Sequence, residues 1–248
     1  MLFVGSCFAD NIGRRFVEDK FRAVVNPFGV MYNPASILHT VQRYDGPAPR
    51  VVVMTLGTNH VYILRESDEI VDNCQKRPQR LFREEELTVE ECTAYLARTV
   101  DLLLDRRADT QIIVTVSPIR YAKYGFHGSQ LSKATLLLAA DQLARMYPEH
   151  VIYFPAYEIV NDELRDYRFY APDMIHPSEQ AVDYIWERFS GVFFSDATKR
   201  FLEEWRPVKE ALNHRPFHPE SKEYQEFLAK TKAKASALAQ KYPGLEVE

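Results

Sequence analysis

The sequence predicts one α/β domain, a three-layer α/β/α sandwich on a mainly parallel, flavodoxin-like sheet of about five strands, followed by a helical C-terminal tail. Two observations predict this fold. Short apolar segments of strand length recur along the first three-quarters of the chain, and segments with helical periodicity separate them. Such alternation is typical of βαβ units, whose strands run parallel. After about residue 195 the strand signal disappears and only helical periodicity remains.

Five apolar segments are predicted strands, and each ends at a glycine, a proline or a polar turn residue. They are Leu2–Val4, Phe21–Val25, Val51–Leu56, Ile112–Val116 and Val151–Phe154. The continuous apolar character of the third segment is typical of a strand that is buried on both faces. The polar stretch 61–82 interrupts the alternation. Within it, Val61–Leu64 and Glu69–Val71 predict a hairpin lying over one edge of the sheet.

Apolar residues at helical spacing predict the helices between and after these strands. The first helix follows the first strand directly, and later ones are marked by Cys92–Leu103, Leu131–Leu143, Ala181–Trp186, Phe201–Leu212 and Tyr224–Leu238. Lys133, near the start of the helix that contains Leu131, Leu138 and Leu143, is expected in solvent. Residues 1–195 are therefore predicted to form the domain, and residues 196–248 a helical extension packed on it.

Composition excludes several classes of function. The 248 residues carry a net charge of −4, so no basic field points to a nucleic acid or an anionic membrane as a partner. The three cysteines, Cys7, Cys74 and Cys92, are scattered, and their spacing predicts neither a disulfide framework nor a zinc site. Neither a signal peptide nor a membrane span is evident, so the cytoplasm is the default expectation.

Polar clusters follow the predicted strands at the edge where open parallel sheets bind ligands. They are Gly5-Ser6-Cys7-Phe8-Ala9, Asn26-Pro27-Phe28-Gly29, Gly57-Thr58-Asn59-His60 and, later in the chain, Asp173-Met174-Ile175-His176. The chain lacks the glycine-rich motifs that cradle nucleotide phosphates. Four clusters at one sheet edge therefore predict a site for another kind of chemistry.

The first cluster matches the motif that names the GSCFA-domain proteins. The Asn26–Gly29 and Asp173–Glu179 segments, with Asn73-Cys74, also resemble segments shared by that family. The resemblance covers nearly the whole chain up to about Phe194, and the helical tail is similar too. GSCFA domains resemble the SGNH, or GDSL-like, hydrolases, which include esterases, lipases, carbohydrate deacetylases and some acyltransferases. The resemblance therefore implies acyl chemistry and leaves the substrate open.

The SGNH pattern implies a role for each part of a catalytic site. Its nucleophile follows the first strand at a helix start, where backbone N–H groups stabilise a thiolate or an oxyanion. The register of the Gly-Asp-Ser pattern favours Cys7 as this nucleophile, and a shift of one residue gives Ser6. His176 would be the general base and acid, and Asp173 would orient its imidazole.

The same pattern implies an oxyanion hole made by the backbone N–H of Gly29 and the side-chain amide of Asn59. Weaker candidates for substrate binding are Arg120, which follows the fourth strand and could bind a substrate anion, and His60 and Asn73, which could line or cover the pocket. A surface arginine is the more common interpretation of Arg120, a solvated turn histidine is the alternative for His60, and an ordinary loop explains Asn73 equally well.

The implied function is hydrolysis of acyl esters, either small esters or carbohydrate O-acetyl groups, through a covalent acyl-enzyme. The mechanism requires no metal and no organic cofactor, and the substrate is the only partner it implies. Two alternatives stay open. One is an acyltransferase of the same fold that uses a donor such as acetyl-CoA, and the other is a non-catalytic binding module in which Cys7 is an inert buried thiol.

Overall fold

The computed structural model describes residues 1–74 and 76–242. The strands are β1 Leu2–Gly5, β2 Val24–Val25, β3 Val51–Leu56, β4 His60–Leu64, β5 Glu69–Val71, β6 Phe82–Glu86, β7 Gln111–Val116 and β8 Val151–Tyr153. The helices are α1 Cys7–Glu18, α2 Pro34–Arg43, α3 Val89–Arg106, α4 Gly125–Met146, the short α5 Ala156–Glu158, α6 Glu179–Phe193, α7 Asp196–Asn213 and α8 Lys222–Lys241. The predicted alternation of strands and helices is confirmed.

Five strands form one all-parallel sheet in the order β2-β1-β3-β7-β8. Counted along the chain, this is the 2-1-3-4-5 order of the flavodoxin-like fold. In the register of β1 and β3, Gly5 lies opposite Thr55, and in that of β3 and β7, Leu56 lies opposite Val116. The predicted fold class is confirmed, and the carboxyl ends of β1, β3 and β7 lie side by side.

A separate three-stranded antiparallel sheet has the order β5-β4-β6. Tyr62 pairs with Val71 in the β4–β5 hairpin, as the sequence predicts. The third strand, β6, pairs with β4 along its whole length and is not predicted. Its sequence, Phe-Arg-Glu-Glu-Glu, consists mostly of residues that are weak strand formers, so its strand structure depends on pairing with β4.

Both faces of the parallel sheet are covered. One face forms a continuous apolar core with α2, α3 and α4, which includes Leu2, Met54, Ile37, Leu96, Leu103, Leu136 and Leu143. On the opposite face Phe3, Val53 and Ile113 are buried. Here α1 packs so closely that a Cβ on Gly13 would lie 2.6 Å from a methyl group of Val25. The sheet and the helices on its two faces therefore make three layers.

The chain divides into two compact units. The first consists of Met1–Gly13 and Ala23–Trp186, and the second of Arg14–Arg22 and Glu187–Glu248. In the second unit Phe201, Trp205, Val208 and Ala235 form a small apolar core between α7 and α8. Phe21, predicted to begin the second strand, packs edge-on against Phe16 in this unit, 5.1 Å between ring centroids. The second strand is therefore only Val24–Val25. The predicted domain boundary at residue 195 stays a prediction.

Two features are absent from the described ranges, residues 1–74 and 76–242. No helix there is long and apolar enough to cross a membrane. No group of three or more His, Cys, Asp and Glu side chains there is arranged to hold a metal ion. The predicted cytoplasmic location and the predicted partners stay predictions.

Lys133 connects the carboxyl ends of β3 and β7 from inside the fold. Its Nζ donates to the carbonyl oxygens of Gly57 at 2.6 Å and Ser117 at 2.8 Å. The side chain is buried, and among the described residues no carboxylate pairs with it. Burial lowers the pKa of Lys133 to about 7. The expectation that Lys133 lies in solvent is wrong.

The error comes from the orientation of α4. Leu131 and Leu138, which mark this helix in the sequence, are exposed. The buried face is formed instead by Ser132, Lys133, Leu136, Ala139, Ala140 and Leu143. A lysine is buried here because two strand-end carbonyls need donors, and buried acceptors without donors are costly.

Replacing Lys133 with Met removes both donors but keeps a long apolar side chain. We expect Lys133→Met to lower the free energy of unfolding by about 1–3 kcal/mol at pH 7, because two buried acceptors lose their donors. Urea denaturation of wild type and variant measures the difference.

The same comparison tests the lowered pKa. Between pH 7 and the usual lysine pKa of 10.5, the unfolded chain binds a proton that folded wild type lacks. Wild-type stability should therefore rise with pH relative to the variant, by up to about 1.4 kcal/mol per pH unit. An equal difference at pH 7 and pH 9 would show that Lys133 stays protonated in the fold.

Candidate active site

The turn from β1 into α1 packs directly on β3. Gly5 has a φ of +138°, and a Cβ there would lie 2.2 Å from the carbonyl oxygen of Thr55, so the turn requires glycine. The Ser6 N–H donates to the same oxygen at 3.0 Å. Ser6 Oγ lies 3.1 Å from Thr55 Oγ1 and accepts the Phe8 N–H at 3.2 Å. Ser6 is fully buried, and its hydroxyl caps α1.

Cys7 is the first residue of α1, and its thiol is half-buried. Its own backbone N–H acts on the sulfur and lowers the pKa of the thiol. Burial raises the pKa of the Cys7 thiol, a hydrogen bond from the Tyr32 side chain opposes the increase, and the charge of Asp10 adds to it. The resting group is therefore a protonated thiol, which needs a base in order to react.

The turn after β2 is hydrogen-bonded to the β1–α1 turn and to α1. Asn26 Oδ1 accepts the Gly5 N–H at 2.9 Å, and Asn26 Nδ2 donates to Asp10 at 2.6 Å. Gly29, with a φ of +90°, donates its N–H to the carbonyl oxygen of Asn26 at 2.8 Å. The N–H that the sequence pattern assigns to an oxyanion is therefore already bonded inside the turn.

Asn59 is also engaged structurally. Its Nδ2 donates to the Leu87 carbonyl at 2.8 Å, and the Leu87 N–H donates to the Asn59 carbonyl at 2.9 Å. The Asn59 N–H donates to Ser132 Oγ at 3.1 Å. These bonds tie the β3–β4 loop to the segment before α3 and to α4. Only one of the two N–H groups of Nδ2 is used by Leu87, so an oxyanion role would fall to the other.

Asp173 and His176 form a pair on a short hairpin. His176 Nδ1 lies 2.6 Å from Asp173 Oδ2, while Oδ1 accepts the N–H groups of Ile175 at 2.9 Å and His176 at 3.0 Å. These backbone hydrogen bonds, followed by the bond to the imidazole, lower the pKa of Asp173 to about 2. The ionised carboxylate holds a proton on Nδ1 and leaves Nε2 as the basic nitrogen.

The hairpin is attached to the segment that follows β7. Backbone hydrogen bonds close its two arms, and the Arg120 N–H donates to the Ile175 carbonyl at 3.0 Å. The next residue, Tyr121, is close enough to Cys7 for the charge of the thiolate to raise its pKa. The two halves of the predicted site therefore lie at the same sheet edge. In the described residues no hydrogen bond joins Cys7 to His176.

Two tyrosines border Cys7, and the sequence did not single out either one. The Tyr121 ring meets the Tyr32 ring edge-on, with 6.3 Å between centroids. The Tyr121 oxygen lies against Gly57, where a Cβ would be 2.3 Å away. This oxygen is buried and has no hydrogen-bond partner among the described residues. Their place after strand ends is the only sequence signal that could have identified these tyrosines.

The three predicted substrate-binding residues have different surroundings. His60 is buried, its ring is stacked on Tyr124 at 3.6 Å, and burial lowers the pKa of its imidazole. Asn73 is exposed in the loop after β5. The guanidinium of Arg120 lies 3.9 Å from the centroid of the Tyr170 ring, and no carboxylate of the described residues pairs with it. Of the three residues, Arg120 is therefore the one that could bind an anion beside the hairpin.

A cavity of about 490 Å³ lies elsewhere, against the three-stranded sheet. Its lining includes Asp68, Glu69, Glu85 and Glu91 and none of the residues predicted for catalysis or binding. His39 also lines it, with Nδ1 2.8 Å from Asp72 Oδ1, but the lining has no cysteine, serine or threonine that could act as nucleophile, so the candidate site stays at the edge of the parallel sheet.

Comparisons with known proteins agree with this fold. The chain matches the GSCFA family over residues 1–49 and 47–189, and the GSCFA domain protein, C-terminal domain, over residues 205–248. A solved structure described as a candidate platelet activating factor from Streptococcus pneumonia shares 17% identity at a TM-score of 0.52, covering 76% of this chain and 82% of that one. At this identity the likeness is one of fold alone.

A mutant of Axe2, an acetyl-xylooligosaccharide esterase from Geobacillus Stearmophilus, shares 15% identity at a TM-score of 0.49, covering 79% of this chain and 94% of that one. No curated protein matches the chain in sequence. The family segments span most of the chain, so the resemblance seen in the Gly5–Ala9 motif is confirmed, and this protein belongs to the GSCFA family.

Proposed function

We propose that this GSCFA protein hydrolyses acyl esters through an acyl-enzyme on Cys7. The observation that carries the proposal is the Asp173–His176 pair, with 2.6 Å between the carboxylate and the imidazole. The pair lies on a closed hairpin that is bonded to the same segment that borders Cys7. A thiol at a helix start and an imidazole oriented by a carboxylate are the groups that nucleophilic acyl transfer requires.

The proposed reaction has two steps. Nε2 of His176 accepts the proton of the Cys7 thiol, and the sulfur attacks the carbonyl carbon of the ester. The tetrahedral intermediate collapses with cleavage of the C–O bond, and the leaving alkoxide takes the proton from His176. Water, deprotonated by His176, then attacks the thioester, and the free acid leaves as the sulfur of Cys7 recovers a proton.

The choice of Cys7 over Ser6 rests on burial and hydrogen bonding. Ser6 Oγ is enclosed and bonded to Thr55 and to the Phe8 N–H, so it would have to give up both partners to attack a substrate. The Cys7 thiol is partly accessible, and the adjoining N–H groups of the first turn favour negative charge beside it. These features support Cys7 as the nucleophile.

Small esters and carbohydrate O-acetyl groups are the proposed substrates, and Arg120 is the proposed contact for a substrate anion. Its guanidinium stacks on Tyr170 and also lies 5.4 Å from the Tyr167 ring. Stacking fixes the guanidinium plane and leaves its N–H donors for an anionic group.

Two observations favour a second candidate, a binding module without catalysis. Burial raises the pKa of Cys7, and in the described residues its thiol is not bonded to His176. A structural thiol would show both features. An acyltransferase would use the same residues as the hydrolase, and incubation with acetyl-CoA and a sugar acceptor separates these two activities.

The nucleophile can be tested with p-nitrophenyl acetate. We expect Cys7→Ala to lower kcat by about 10³-fold or more, because the acyl-enzyme can no longer form. Ser6→Ala should keep turnover while losing about 1 kcal/mol of stability with its helix cap. Mass spectrometry of the quenched wild-type reaction should find acetyl on the peptide that contains Cys7.

Cys74→Ala is the matched control, since this cysteine is also partly exposed. It should leave turnover unchanged. Full activity in Cys7→Ala, or loss of activity in a folded Ser6→Ala, would contradict the assignment. A wild type that turns over neither the ester nor acetyl-CoA with an acceptor would favour the binding module.

The role of the carboxylate can be tested with Asp173→Asn, which keeps an acceptor for the two backbone N–H groups of the hairpin. We expect kcat to fall by about 10³–10⁴-fold, because a neutral amide neither selects the reactive tautomer of His176 nor stabilises its cation. Steady-state kinetics at neutral pH measure the loss. Turnover within about tenfold of wild type would show that His176 does not depend on Asp173.

Arg120 can be tested with two esters that differ in charge. We expect Arg120→Gln to raise KM for mono-p-nitrophenyl succinate, which has a free carboxylate, by about tenfold or more, and to leave KM for p-nitrophenyl acetate unchanged. Arg145→Gln, at an exposed arginine on α4, is the control. Equal effects of Arg120→Gln on both esters would exclude a specific anion contact.

A further inference from the structure

We propose that Lys133 is a positioning residue for acyl transfer, which sets the separation between the turn that carries Cys7 and the hairpin that carries His176. This inference rests on the proposed reaction at Cys7. Lys133 acts through the two loops that its side chain joins, and not by contact with the substrate. None of the roles that the SGNH pattern implies falls on a residue of α4.

The first step of the argument is the point at which the pairing of β3 with β7 ends. Leu56 and Val116 are the last paired residues, and the Ser117 N–H donates to the Leu56 carbonyl at 2.8 Å. Beyond this bond the two strands continue into different loops. The carbonyl oxygens of Gly57 and Ser117 accept Lys133 Nζ, at 2.6 and 2.8 Å. The lysine therefore extends the connection between the strands past the end of the sheet.

The second step is the path from Gly57 to the nucleophile. A Cβ on Gly57 would lie 3.4 Å from the Cβ of Ser6, the residue before Cys7. The N–H groups of Gly57 and Thr58 both donate to the carbonyl oxygen of Tyr32, at 2.9 and 2.8 Å. The loop held by the lysine on this side therefore packs against the turn that carries the thiol.

The third step is the path from Ser117 to the base. Ser117 Oγ accepts the Ile119 N–H at 3.3 Å, which fixes the course of the segment after β7. The next residue, Arg120, donates its N–H to the carbonyl oxygen of Ile175 at 3.0 Å. Ile175 directly precedes His176 on the hairpin. A displacement of Ser117 is therefore transmitted to the imidazole through a short run of backbone.

The fourth step is the rigidity of the surroundings of Lys133. Its side chain is buried, and its Nζ lies 5.1 Å from the centroid of the Tyr121 ring and 5.9 Å from that of Tyr157. The preceding residue on α4, Ser132, accepts the Asn59 N–H at 3.1 Å. Two adjacent residues of one helix thus hold the loop after β3. A support built on a packed helix has little freedom to move.

The connection does not depend on the charge of the lysine. An ammonium group has three N–H donors and a neutral amine has two, so either form can serve both carbonyl oxygens. Burial lowers the pKa of Lys133 to about 7, and deprotonation therefore leaves the two loops joined. The role we assign is one of geometry and not of proton transfer.

The first test is the kinetics of Lys133→Met with p-nitrophenyl acetate. We expect kcat to fall by about 10²-fold, because a shift of about 1 Å between reacting groups has a cost of this size. KM should change by less than about threefold, since the lysine makes no contact with the substrate.

Thr110→Val is the matched control. Thr110 is also buried, but it lies at the opposite end of β7, where its hydroxyl donates to the carbonyl oxygens of Pro49 at 3.0 Å and Arg107 at 2.8 Å. Both substitutions should lower the Tm, because each removes a buried donor. Only Lys133→Met should lower kcat.

A second test measures the separation without turnover. In 1,3-dibromoacetone two reactive carbons are a short distance apart. The Cys7 sulfur displaces one bromide and His176 Nε2 the other, so the two side chains are joined and two equivalents of HBr are released. Mass spectrometry should find the joined peptides in wild type and in Thr110→Val. In Lys133→Met we expect their yield to be lower by about fivefold or more.

Lys133→Gln keeps an N–H₂ group on a side chain that is one bond shorter. We expect its kcat to lie between that of wild type and that of Lys133→Met, because the amide can still reach one of the two carbonyl oxygens. If Lys133→Met does not fold, Lys133→Gln decides the test, with an expected fall in kcat of about tenfold.

The outcomes separate the two proposals. If the folded Lys133 variants keep kcat within about threefold of wild type while Cys7→Ala abolishes turnover, the positioning role is overturned and the proposed hydrolase stands. An equal loss of kcat in Thr110→Val, or an undiminished yield of joined peptides in the Lys133 variants, also overturns it, in favour of a general loss of stability. If Cys7→Ala keeps full turnover, or if the wild type is inactive, both proposals fall.

Discussion

The contact between the β1–α1 turn and β3 constrains everything else at the site. A glycine at position 5 lets the turn lie against the Thr55 carbonyl, and the Ser6 N–H then bonds to that same oxygen. Ser6 is thereby directed into the fold, where its hydroxyl meets Thr55 and caps α1. The next side chain, that of Cys7, is left partly accessible at the helix start. A single close approach of two strand ends thus orients two neighbouring side chains differently.

The same loops show how strand-end polar groups are divided between structure and chemistry. Buried N–H and C=O groups must be paired, and at the end of a sheet the nearest partners are other loop groups. Gly29, Asn59 and Lys133 are used in this way, each bonded to a backbone carbonyl. Groups without a partner are fewer and therefore more informative. At this sheet edge, Asn59 Oδ1 and the Tyr121 hydroxyl oxygen are two such groups among the described residues.

The sequence predicts the fold well because parallel strands that are buried on both faces are continuous apolar segments. Val51–Leu56 is such a segment, and its strand bounds agree with the structure. Strands stabilised by their neighbours are harder to predict. The strand β6 is mostly charged and owes its structure to pairing with β4. The sequence predicts that α4 is a helix but not which face of it is buried. An apolar pattern places Leu131 and Leu138 in the core and Lys133 in solvent, whereas the structure exposes both leucines and buries the lysine.

The sequence likewise predicts some features of the candidate site and not others. The positions of its polar clusters follow from chain order, since the residues that follow parallel strands meet at one edge. Their hydrogen bonds do not follow from chain order. Whether the Asn59 amide points to a substrate or to the Leu87 carbonyl depends on a contact 28 residues along the chain, which no local pattern contains. Tyr121 and Tyr124 look alike in the sequence, but among the described residues the Tyr124 hydroxyl donates to Glu84 whereas the Tyr121 oxygen has no partner.

The raised pKa of Cys7 has a consequence for how such a site must work. Burial makes negative charge on the sulfur unfavourable, so the resting nucleophile is a neutral thiol. Proton transfer and attack then have to occur together, and the charge moves from sulfur towards the substrate oxygen as the bond forms. This transfer is favoured only if the oxygen finds better donors than the sulfur has. Tyr32 and the Cys7 N–H both stabilise negative charge on the sulfur, so the oxygen needs donors that are at least as well placed. A surrounding that penalises a thiolate therefore does not oppose acyl transfer, because the same surrounding strengthens each hydrogen bond to the oxyanion.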